Sequence, residues 1–546
     1  MHSAPLKAED ARASRQAAGP PGEARWRRLG YVVIAVALIF RWIYVACGPI
    51  GLSEDEAYQW LWSKHPALCY FSKPAGIAFI QLAGTAIGGD TNFGVRFFSP
   101  LFAAILSLLV FRFLTREASA RTAFWMLIVT FAVPMLSVGS VVMTIDPPLV
   151  LCWMWAVIAG WRAVQAEGKT RDWLVVGLAM GLGVLCKQSA VYQVVCWGIF
   201  FALYPASRIH LRRPGPWLAL GMLVLGTLPM LVWNAQHGWI TAHHVAGNAG
   251  MNHQWHPTLN YFFEFIGAEL GLLNPVFLIA ALWAGFAFWR QRRERPLWLF
   301  LFCMGMPVFL GHVLYSFHSR ILPNWIAPAV PPMFCLMAVY WHERQHVARP
   351  WLMVGLIIGL SASVVMHDLD LIGKIFHPLP GDIDPSHRIG RGYPEAAAVI
   401  QDEREKFGAN SFIIADRYGT AGLYTFYSPT ARGAASAHEP LIYCEDTGEP
   451  INQFYFWPEY QYLKTRLGED AIYVRRLDPY KLEHGWIGKW LKGEPVGYRD
   501  LPPLLPAPKY IVSHFETVTN LGIREIKLSD GRVFQRLQIF GCRNLK

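Results

Sequence analysis

The segment Gly51–Ile80, GLSEDEAYQWLWSKHPALCYFSKPAGIAFI, brings together the residue types that proton transfer and phosphate binding require. Asp55 could act as a general base, because a carboxylate near an apolar interface can have its pKa raised by desolvation. Lys73 could hold a phosphate as a point charge. Simpler interpretations exist for both residues, since an acidic first turn suits a helix dipole and a lysine at a membrane surface commonly snorkels.

Three further charged residues fall in polar segments between apolar runs. Asp146 precedes two prolines, a pattern that ordinary helix-start chemistry also explains. Lys187 ends an apolar helix, where a cation interacts favourably with the negative end of the helix dipole. Arg320 could form a fork to a phosphate or a carboxylate, and it could equally be an ordinary interfacial arginine. We expect all three on the same membrane face as Asp55 and Lys73.

Histidines offer a metal interpretation that the spacing does not support. His243 and His244 share one polar segment with His253 and His256, but no helical pair four residues apart with a third ligand is evident. No metal site is therefore predicted. The chain also contains no Walker A sequence, dinucleotide fingerprint or G-x-S-x-G elbow.

A short helix is predicted to position the first carboxylates. Ser53 with Glu56 three residues later forms a capping box, so a helix begins here. Tyr58, Trp60 and Trp62 follow, and aromatic residues of this kind are typical of a helix lying at the membrane–water interface. We therefore expect a carboxylate held at the membrane surface.

Composition places the whole chain in the polytopic membrane class. Of its 546 residues 53% are hydrophobic and only 16% are charged, against about 25% charged in an average soluble protein. The formal charge of +11 does not indicate nucleic-acid binding, because the basic residues form short clusters between apolar runs. Almost no charge lies within those runs, apart from His312, which favours chemistry at one interface over passage across the membrane.

The apolar runs predict about eleven spans, and thirteen at most. Arginine and lysine clusters fall on the side of the N-terminus, which the positive-inside rule makes the cytoplasm. The predicted domains are a disordered cytoplasmic tail (1–24), a transmembrane catalytic domain (25–366) and a periplasmic α/β domain (367–546). The predicted spans are Leu29–Cys47, Phe93–Phe111, Ala123–Val141, Pro147–Trp161, Trp173–Cys186, Ala190–Tyr204, Trp217–Trp233, Leu270–Trp289, Leu297–Phe317, Trp325–Trp341 and Trp351–Val365.

The polar C-terminal part alternates helix and strand patterns. Pro394–Phe407 is predicted as a helix. Two cysteines of this part, Cys444 and Cys542, would be able to pair in an oxidising compartment, and the sequence leaves that pairing open. The predicted strands are Ser411–Ala415, Ala471–Arg475, Lys509–His514 and Val533–Phe540.

Five stretches of this chain resemble the membrane glycosyltransferases of the GT-C superfamily. The resemblance is nearest to the branch that contains protein O-mannosyltransferases and the lipid A aminoarabinose transferase. One departure is T-I-D in the second acidic motif, where T-P-D is commoner, although the carboxylate position is kept. The stretches are DEAYQWLWSKHPALCYFSKPAG, TIDPPLV, WNAQHGWITAHH, LPNWIAP and FIIADRYGTAGLYTFY.

The resemblance implies a mostly helical GT-C fold and a sugar donor linked to a polyprenyl phosphate. Asp55 matches the first-loop aspartate, the proposed base or acceptor-binding carboxylate, and Asp146 matches the acidic residue of the second outer loop. Lys73 matches a lysine that meets the donor phosphate. The candidates carried over by loop position alone are Glu56, Lys187 and Arg320.

The expected function is that of an inverting transferase in a bacterial inner membrane, acting on the periplasmic face. Its partners would be undecaprenyl-phosphate-linked sugar and a lipid or glycan acceptor such as lipid A, with no nucleic acid and no required cofactor; a divalent metal is left open. Protein O-mannosylation is the enzymatic alternative. A lipid-linked-sugar flippase and a non-catalytic scaffold are the alternatives from other classes.

Overall fold

The computed structural model describes residues 21–48, 50–165, 168–252, 254–385, 390–500 and 504–546. The predicted disordered tail lies almost wholly outside the described residues, and so does His253. Within the described residues the chain divides into two compact units. The first unit comprises residues up to Ile43 and Phe98–Val364, and the second comprises Tyr44–Phe97 and Val365–Lys546.

Helices dominate the described chain, and each predicted span corresponds to one or two of them. Up to residue 203 they are α1 (Pro21–Cys47), α2 (Glu54–Lys64), α3 (Gly76–Gly88), α4 (Asn92–Arg96), α5 (Phe98–Glu117), α6 (Ala120–Phe131), α7 (Pro134–Gly139), α8 (Asp146–Ala163), α9 (Thr170–Cys186) and α10 (Tyr192–Leu203). Up to residue 367 they are α11 (Pro214–Gln236), α12 (Ile240–Asn248), α13 (Leu259–Leu273), α14 (Pro275–Ala287), α15 (Pro296–Tyr315), α16 (Val330–His342) and α17 (Gln345–His367).

By helix length and composition alone, fewer continuous spans are identified than the eleven that the sequence predicts. Among the described residues, five helices are long and apolar enough to cross a membrane, or up to seven if each of two bent pairs counts as one span. Prolines and breaks cause the difference: α13 and α14 bend by 105° at Pro275, and α6 stops before Pro134. A helix of 12 residues such as α6 is only about 18 Å long, against a hydrocarbon core of about 30 Å.

Close packing in the first unit depends on small residues. A Cβ on Gly177 of α9 would lie 2.6 Å from the Cα of Ala219 on α11. A Cβ on Gly226 of α11 would likewise lie 2.6 Å from the Cα of Gly181. Gly177 and Gly181 form a G-x-x-x-G pattern, which lets two membrane helices approach backbone to backbone.

The second unit contains a five-stranded sheet of order β2-β1-β3-β7-β6. β1 is parallel to both β2 and β3, whereas β7 runs antiparallel to β3 and β6. The strands are β1 (Phe412–Ala415), β2 (Ile442–Cys444), β3 (Ala471–Arg476), β6 (Phe515–Lys527) and β7 (Val533–Leu545), with a separate hairpin of β4 (Lys481–Leu482) and β5 (Tyr498–Asp500).

Short helices surround this sheet, and one replaces a predicted strand. Helix α19 (Tyr393–Phe407) coincides with the predicted Pro394–Phe407 helix, but Lys509–His514 forms α24, not a strand. Only Ile511 of this segment is buried. The β-branched residues of KYIVSH therefore lack the buried face that a strand of the sheet would give them. The remaining helices are α18 (Leu371–Ile375), α20 (Tyr418–Tyr427), α21 (Pro429–Ser436), α22 (Tyr462–Thr465) and α23 (Trp486–Leu491).

The two cysteines of the sheet are free thiols. Cys444 ends β2 and Cys542 lies in β7, and both are buried and unpaired. Three strand spacings separate β2 from β7, or about 14 Å, and a disulfide needs Cα atoms within about 7 Å. The disulfide that the sequence left open does not form here.

Candidate active site

The first turn of α2 presents three carboxylates that differ in environment. Ser53 caps the helix: its Oγ accepts from the Glu56 N–H at 3.3 Å, and its own N–H donates to the Glu56 carboxylate at 2.9 Å. The predicted capping box is therefore present. Asp55 is exposed, whereas Glu56 is fully buried.

Glu56 forms a buried ion pair with Arg96. The Nε and Nη2 atoms of Arg96 each donate to a different carboxylate oxygen at 2.7 Å, and the side chains are 1% and 0% exposed. Arg96 also donates to the carbonyls of Ile50 and Gly51. With its oxygens occupied by Arg96 and Ser53, Glu56 has a structural geometry, and we do not carry it forward as a catalytic candidate.

The aromatic residues of α2 are core residues of the second unit, which corrects the expectation of an interfacial helix. Tyr58, Trp60 and Trp62 are 4%, 0% and 1% exposed. Tyr58 packs on the Tyr418 ring of α20 at 4.6 Å between centroids. Their burial leaves the exposed Asp55 on a rigid helix.

Tyr418 belongs to the surroundings of Asp55. Partial burial raises the pKa of Tyr418 to about 12, and the carboxylates of Asp55 and then Glu54 add to that rise. The phenol therefore stays protonated and can donate a hydrogen bond at neutral pH. Sequence analysis did not single out Tyr418, although the stretch FIIADRYGTAGLYTFY contains it.

Lys73 lies in a tight turn of the same unit. Its backbone carbonyl accepts from the N–H of Tyr70 at 3.0 Å, and Cys69 forms a β-bridge with Pro74. The side chain of Lys73 is half-buried. A lysine on a fixed turn can present its ammonium group with a smaller loss of chain entropy than one on a flexible loop.

Asp146 and Lys187 meet in the first unit. Lys187 Nζ donates to Asp146 Oδ1 at 2.7 Å, and Asn324 Nδ2 donates to Asp146 Oδ2 at 2.8 Å. The side chains of Lys187 and Asp146 are only 8% and 15% exposed. The pairing shows that the charge of Lys187 is already matched by a carboxylate.

Arg320 has a different environment, at the surface of the first unit. Its Nε donates to Glu264 Oε1 at 2.7 Å, and the two side chains are 64% and 47% exposed. In the described chain Asp146 and Lys187 pair with each other and Arg320 pairs with Glu264. An exposed pair of this kind contributes about 0–1 kcal/mol to stability.

Besides Tyr418, sequence reasoning missed two residues that the structure connects to the candidates. Arg96 lies in the apolar run NFGVRFF, where a lone arginine is itself a signal of a buried partner. Asn324 lies within the quoted LPNWIAP stretch, and its contact with Asp146 explains why an amide stands there. His243 and His244, for which the sequence predicts no metal site, join no three-ligand group among the described residues.

Comparisons with known proteins agree with the resemblance seen in the sequence. A model of the dolichyl-phosphate-mannose-protein mannosyltransferase family matches residues 72–233. The lipid A galacturonosyltransferase RgtD of Rhizobium johnstonii is 28% identical over 312 residues, which cover 55% of this chain and 63% of that protein. The undecaprenyl phosphate-alpha-4-amino-4-deoxy-L-arabinose arabinosyl transferase of Edwardsiella ictaluri is 26% identical over 397 residues, covering 66% and 68% of the two chains.

A solved structure extends the likeness to nearly the whole chain. ArnT from Cupriavidus metallidurans in the apo state matches with a TM-score of 0.55 at 14% identity, covering 94% of this chain and 98% of that one. The same protein bound to undecaprenyl phosphate gives a TM-score of 0.54. The predicted fold, polytopic and helical with a sheet-containing C-terminal part, is thereby confirmed. The match to RgtD spans less than two thirds of that relative's length.

Proposed function

We propose that this chain, which has the fold of the ArnT glycosyltransferase, transfers a sugar from a polyprenyl-phosphate carrier to an envelope acceptor such as lipid A. One relative is named for lipid A and another for an undecaprenyl-phosphate-linked sugar. ArnT, whose fold this chain shares, has been solved with undecaprenyl phosphate bound. These names support undecaprenyl phosphate as carrier and lipid A as acceptor.

The observation that carries the proposal is the contrast between two adjacent carboxylates. Glu56 is fixed by Arg96 and Ser53, and its burial is complete. Asp55 projects from the same rigid turn and is exposed. A catalytic base must be both positioned and reachable, and Asp55 satisfies both conditions.

The reaction would proceed by direct displacement at the anomeric carbon. A hydroxyl oxygen of the acceptor attacks that carbon, and the bond from the carbon to the phosphate oxygen breaks. The hydroxyl proton passes to Asp55, and the polyprenyl phosphate leaves with the bonding electron pair. A single displacement inverts the anomeric configuration, and no nucleotide is consumed.

Lys73 is the first candidate for stabilising the negative charge that develops on the phosphate as the anomeric bond breaks. A fixed cation near the leaving oxygen stabilises the transition state more than the ground state, because negative charge increases there as the bond breaks. Lys187 is the second candidate, and its ammonium group pairs with Asp146 at 2.7 Å. We assign Asp146 to positioning Lys187, and Arg320 remains a surface candidate for anion binding.

The location follows from the same reasoning. A chain with several membrane-spanning helices and a polyprenyl carrier belongs in the bacterial inner membrane. We place the N-terminus in the cytoplasm and the sheet-containing part in the periplasm, on the positive-inside rule. To test this orientation, a cysteine is introduced at an exposed position of β6, and intact spheroplasts are treated with a large membrane-impermeant thiol reagent. We expect this cysteine to be labelled. No labelling of intact spheroplasts would place the sheet-containing part in the cytoplasm.

The central experiment measures sugar transfer in detergent. Purified chain is mixed with undecaprenyl-phosphate-linked sugar and lipid A, and the glycolipid is detected by mass spectrometry. We expect Asp55→Asn to abolish transfer and Lys73→Ala to raise the donor concentration needed for half-maximal rate. The matched control is Asp402→Asn, which removes an exposed carboxylate from α19. Full activity of Asp55→Asn would refute the assignment of the base.

Protein O-mannosylation is the second candidate, because the matched family model is that of dolichyl-phosphate-mannose-protein mannosyltransferases. Replacing lipid A by a serine- and threonine-rich peptide, with mannosyl phosphate lipid as donor, separates the two acceptor classes. A flippase needs a sealed bilayer to act. Transfer in detergent would therefore exclude transport as the sole activity.

A further inference from the structure

Three metal-binding side chains converge in the second unit, away from the carboxylates of the first turn of α2. His65 follows the last residue of α2, His438 follows α21, and Glu459 lies in the 3₁₀ turn Pro458–Tyr460. One donor atom from each lies within 4.8 Å of the others. No other three-ligand group of this kind occurs among the described residues.

The separations between these donor atoms suit a tetrahedral cation. Glu459 Oε1 lies 3.0 Å from His65 Nδ1 and 3.6 Å from His438 Nδ1. A zinc ion with bonds of about 2.0–2.1 Å holds its tetrahedral ligands about 3.4 Å apart. The two observed distances lie on either side of that value, so small side-chain rotations would bring all three groups to bonding distance.

Packing fixes the His65 ring before any ion arrives. The ring stacks on Trp457 with centroids 4.4 Å apart, and the Tyr460 ring meets its edge at 5.7 Å. The His65 side chain is 7% exposed. The aromatic contacts therefore hold the imidazole in one orientation, with Nδ1 facing Glu459 Oε1 at 3.0 Å.

An ordinary histidine–carboxylate hydrogen bond accounts for only two of the three groups. Both imidazoles approach the same atom, Glu459 Oε1, and the His65 and His438 rings lie edge to face with centroids 4.7 Å apart. A hydrogen bond between His65 and Glu459 leaves the approach of the second imidazole unexplained, whereas one cation bound by all three groups explains it.

The backbone at His438 is a second, independent observation. Its N–H donates to Ala435 O, and the next N–H donates to Ala434 O at 2.9 Å, the pair of bonds that ends a helix in a Schellman motif. This position usually holds glycine because φ is positive, and His438 adopts φ of 60°. The end of α21 therefore sets where the His438 imidazole lies, with its Nδ1 3.6 Å from Glu459 Oε1.

We propose that His65, His438 and Glu459 form a binding site for a divalent transition metal, with zinc as the best match. Two imidazoles and a carboxylate are ligands that zinc accepts, and the fourth position would hold water. The side chains of His438 and Glu459 are 57% and 26% exposed, so the site is open to exchange. The ion would link the end of α2, the end of α21 and the turn at Glu459.

The test uses the full chain in detergent, purified without a histidine tag and stripped with a chelator. Binding of Zn²⁺ is measured by calorimetric or fluorescence titration. Co²⁺ serves as a spectroscopic probe, because tetrahedral Co²⁺ absorbs visible light strongly. We expect one equivalent of Co²⁺ to produce a tetrahedral spectrum and Zn²⁺ to displace it. We also expect Zn²⁺ to raise the melting temperature of the stripped protein. Absence of the spectrum would overturn the proposal.

The sharpest variant is His438→Gly. Glycine relieves the positive φ, so the metal-free variant should melt at or above the metal-free parent. Its Zn²⁺ affinity should nevertheless fall by more than about 100-fold, because even outer-shell changes cost 10–100-fold. Glu459→Gln should lose the Co²⁺ spectrum in the same way.

The control is His484→Ala, which removes an exposed histidine of the same unit. It should bind Zn²⁺ like the parent. Unchanged Zn²⁺ affinity in both His438→Gly and Glu459→Gln would refute the proposed ligands. None of these measurements depends on sugar transfer, so failure of the metal site and failure of the proposed function are separable.

Discussion

Replacing Glu56 with glutamine isolates the contribution of one buried charge to the free energy of unfolding. Glutamine has nearly the same volume, and it can still serve as the third residue of a capping box with Ser53. What the change removes is the negative charge that faces Arg96, a side chain only 1% exposed. The arginine keeps its hydrogen bonds to the carbonyls of Ile50 and Gly51 at 3.0 and 2.6 Å.

The expected cost follows from that geometry. Removing one partner of a buried ion pair costs about 3–5 kcal/mol, because the other charge stays buried without compensation. The two remaining carbonyl contacts of Arg96 favour the lower end, about 3 kcal/mol. For a unit of roughly this size each kcal/mol lowers the melting temperature by about 2–4 °C, so we expect a fall of about 6–12 °C.

The assay is thermal unfolding of the detergent-solubilised chain, followed by near-ultraviolet circular dichroism of the buried tryptophans. Arg96→Met is measured beside Glu56→Gln, and the double variant completes the cycle. Because the double variant leaves no buried charge, its loss should be well below the sum of the single losses, by at least about 1–2 kcal/mol. Additive losses would refute the reasoning. An unchanged melting temperature with lost transfer would restore Glu56 as a catalytic residue.

Other substitutions test the packing and the surface. Gly422→Ala should lower the free energy of unfolding by about 1–3 kcal/mol, because the new Cβ would lie 3.0 Å from the backbone of α2. Gly433→Ala has nothing within 4 Å of the new Cβ. In the same denaturation assay it should raise the free energy of unfolding by about 0.5–1 kcal/mol. Arg320→Ala should change stability by less than about 1 kcal/mol, since the pair it breaks is exposed; a larger loss would contradict its surface placement. A reducing agent should leave the melting temperature unchanged, because Cys444 and Cys542 are free, and a fall would indicate a disulfide.

Local patterns predicted the elements well. The capping box at Ser53 and Glu56 identified the start of α2 to the residue, because the signal involves only neighbouring positions. Every predicted apolar span proved helical for the same reason. The number of spans stays a prediction, because hydropathy measures composition, while bends such as the 105° break before Pro275 depend on how helices pack.

Pairings between distant residues could not be predicted. No sequence pattern indicates that Arg96 forms an ion pair with Glu56, forty positions earlier, or that Lys187 forms one with Asp146. The same limit applies to the tryptophans of α2, whose pattern suits a membrane surface as well as a core. Only tertiary contacts, such as that of Tyr58 with Tyr418 of α20, decide between the two.

The position of β7 has a consequence for how the protein is made. This strand, Val533–Leu545, lies between β3 and β6, inside the sheet. The segment Tyr44–Phe97 belongs to the same compact unit but leaves the ribosome far earlier, and at about 5–20 residues per second the delay is on the order of tens of seconds. Trp60 packs against Phe426 of α20 at 5.1 Å between ring centroids, so this burial also has to wait until the C-terminal part of the unit has been synthesised.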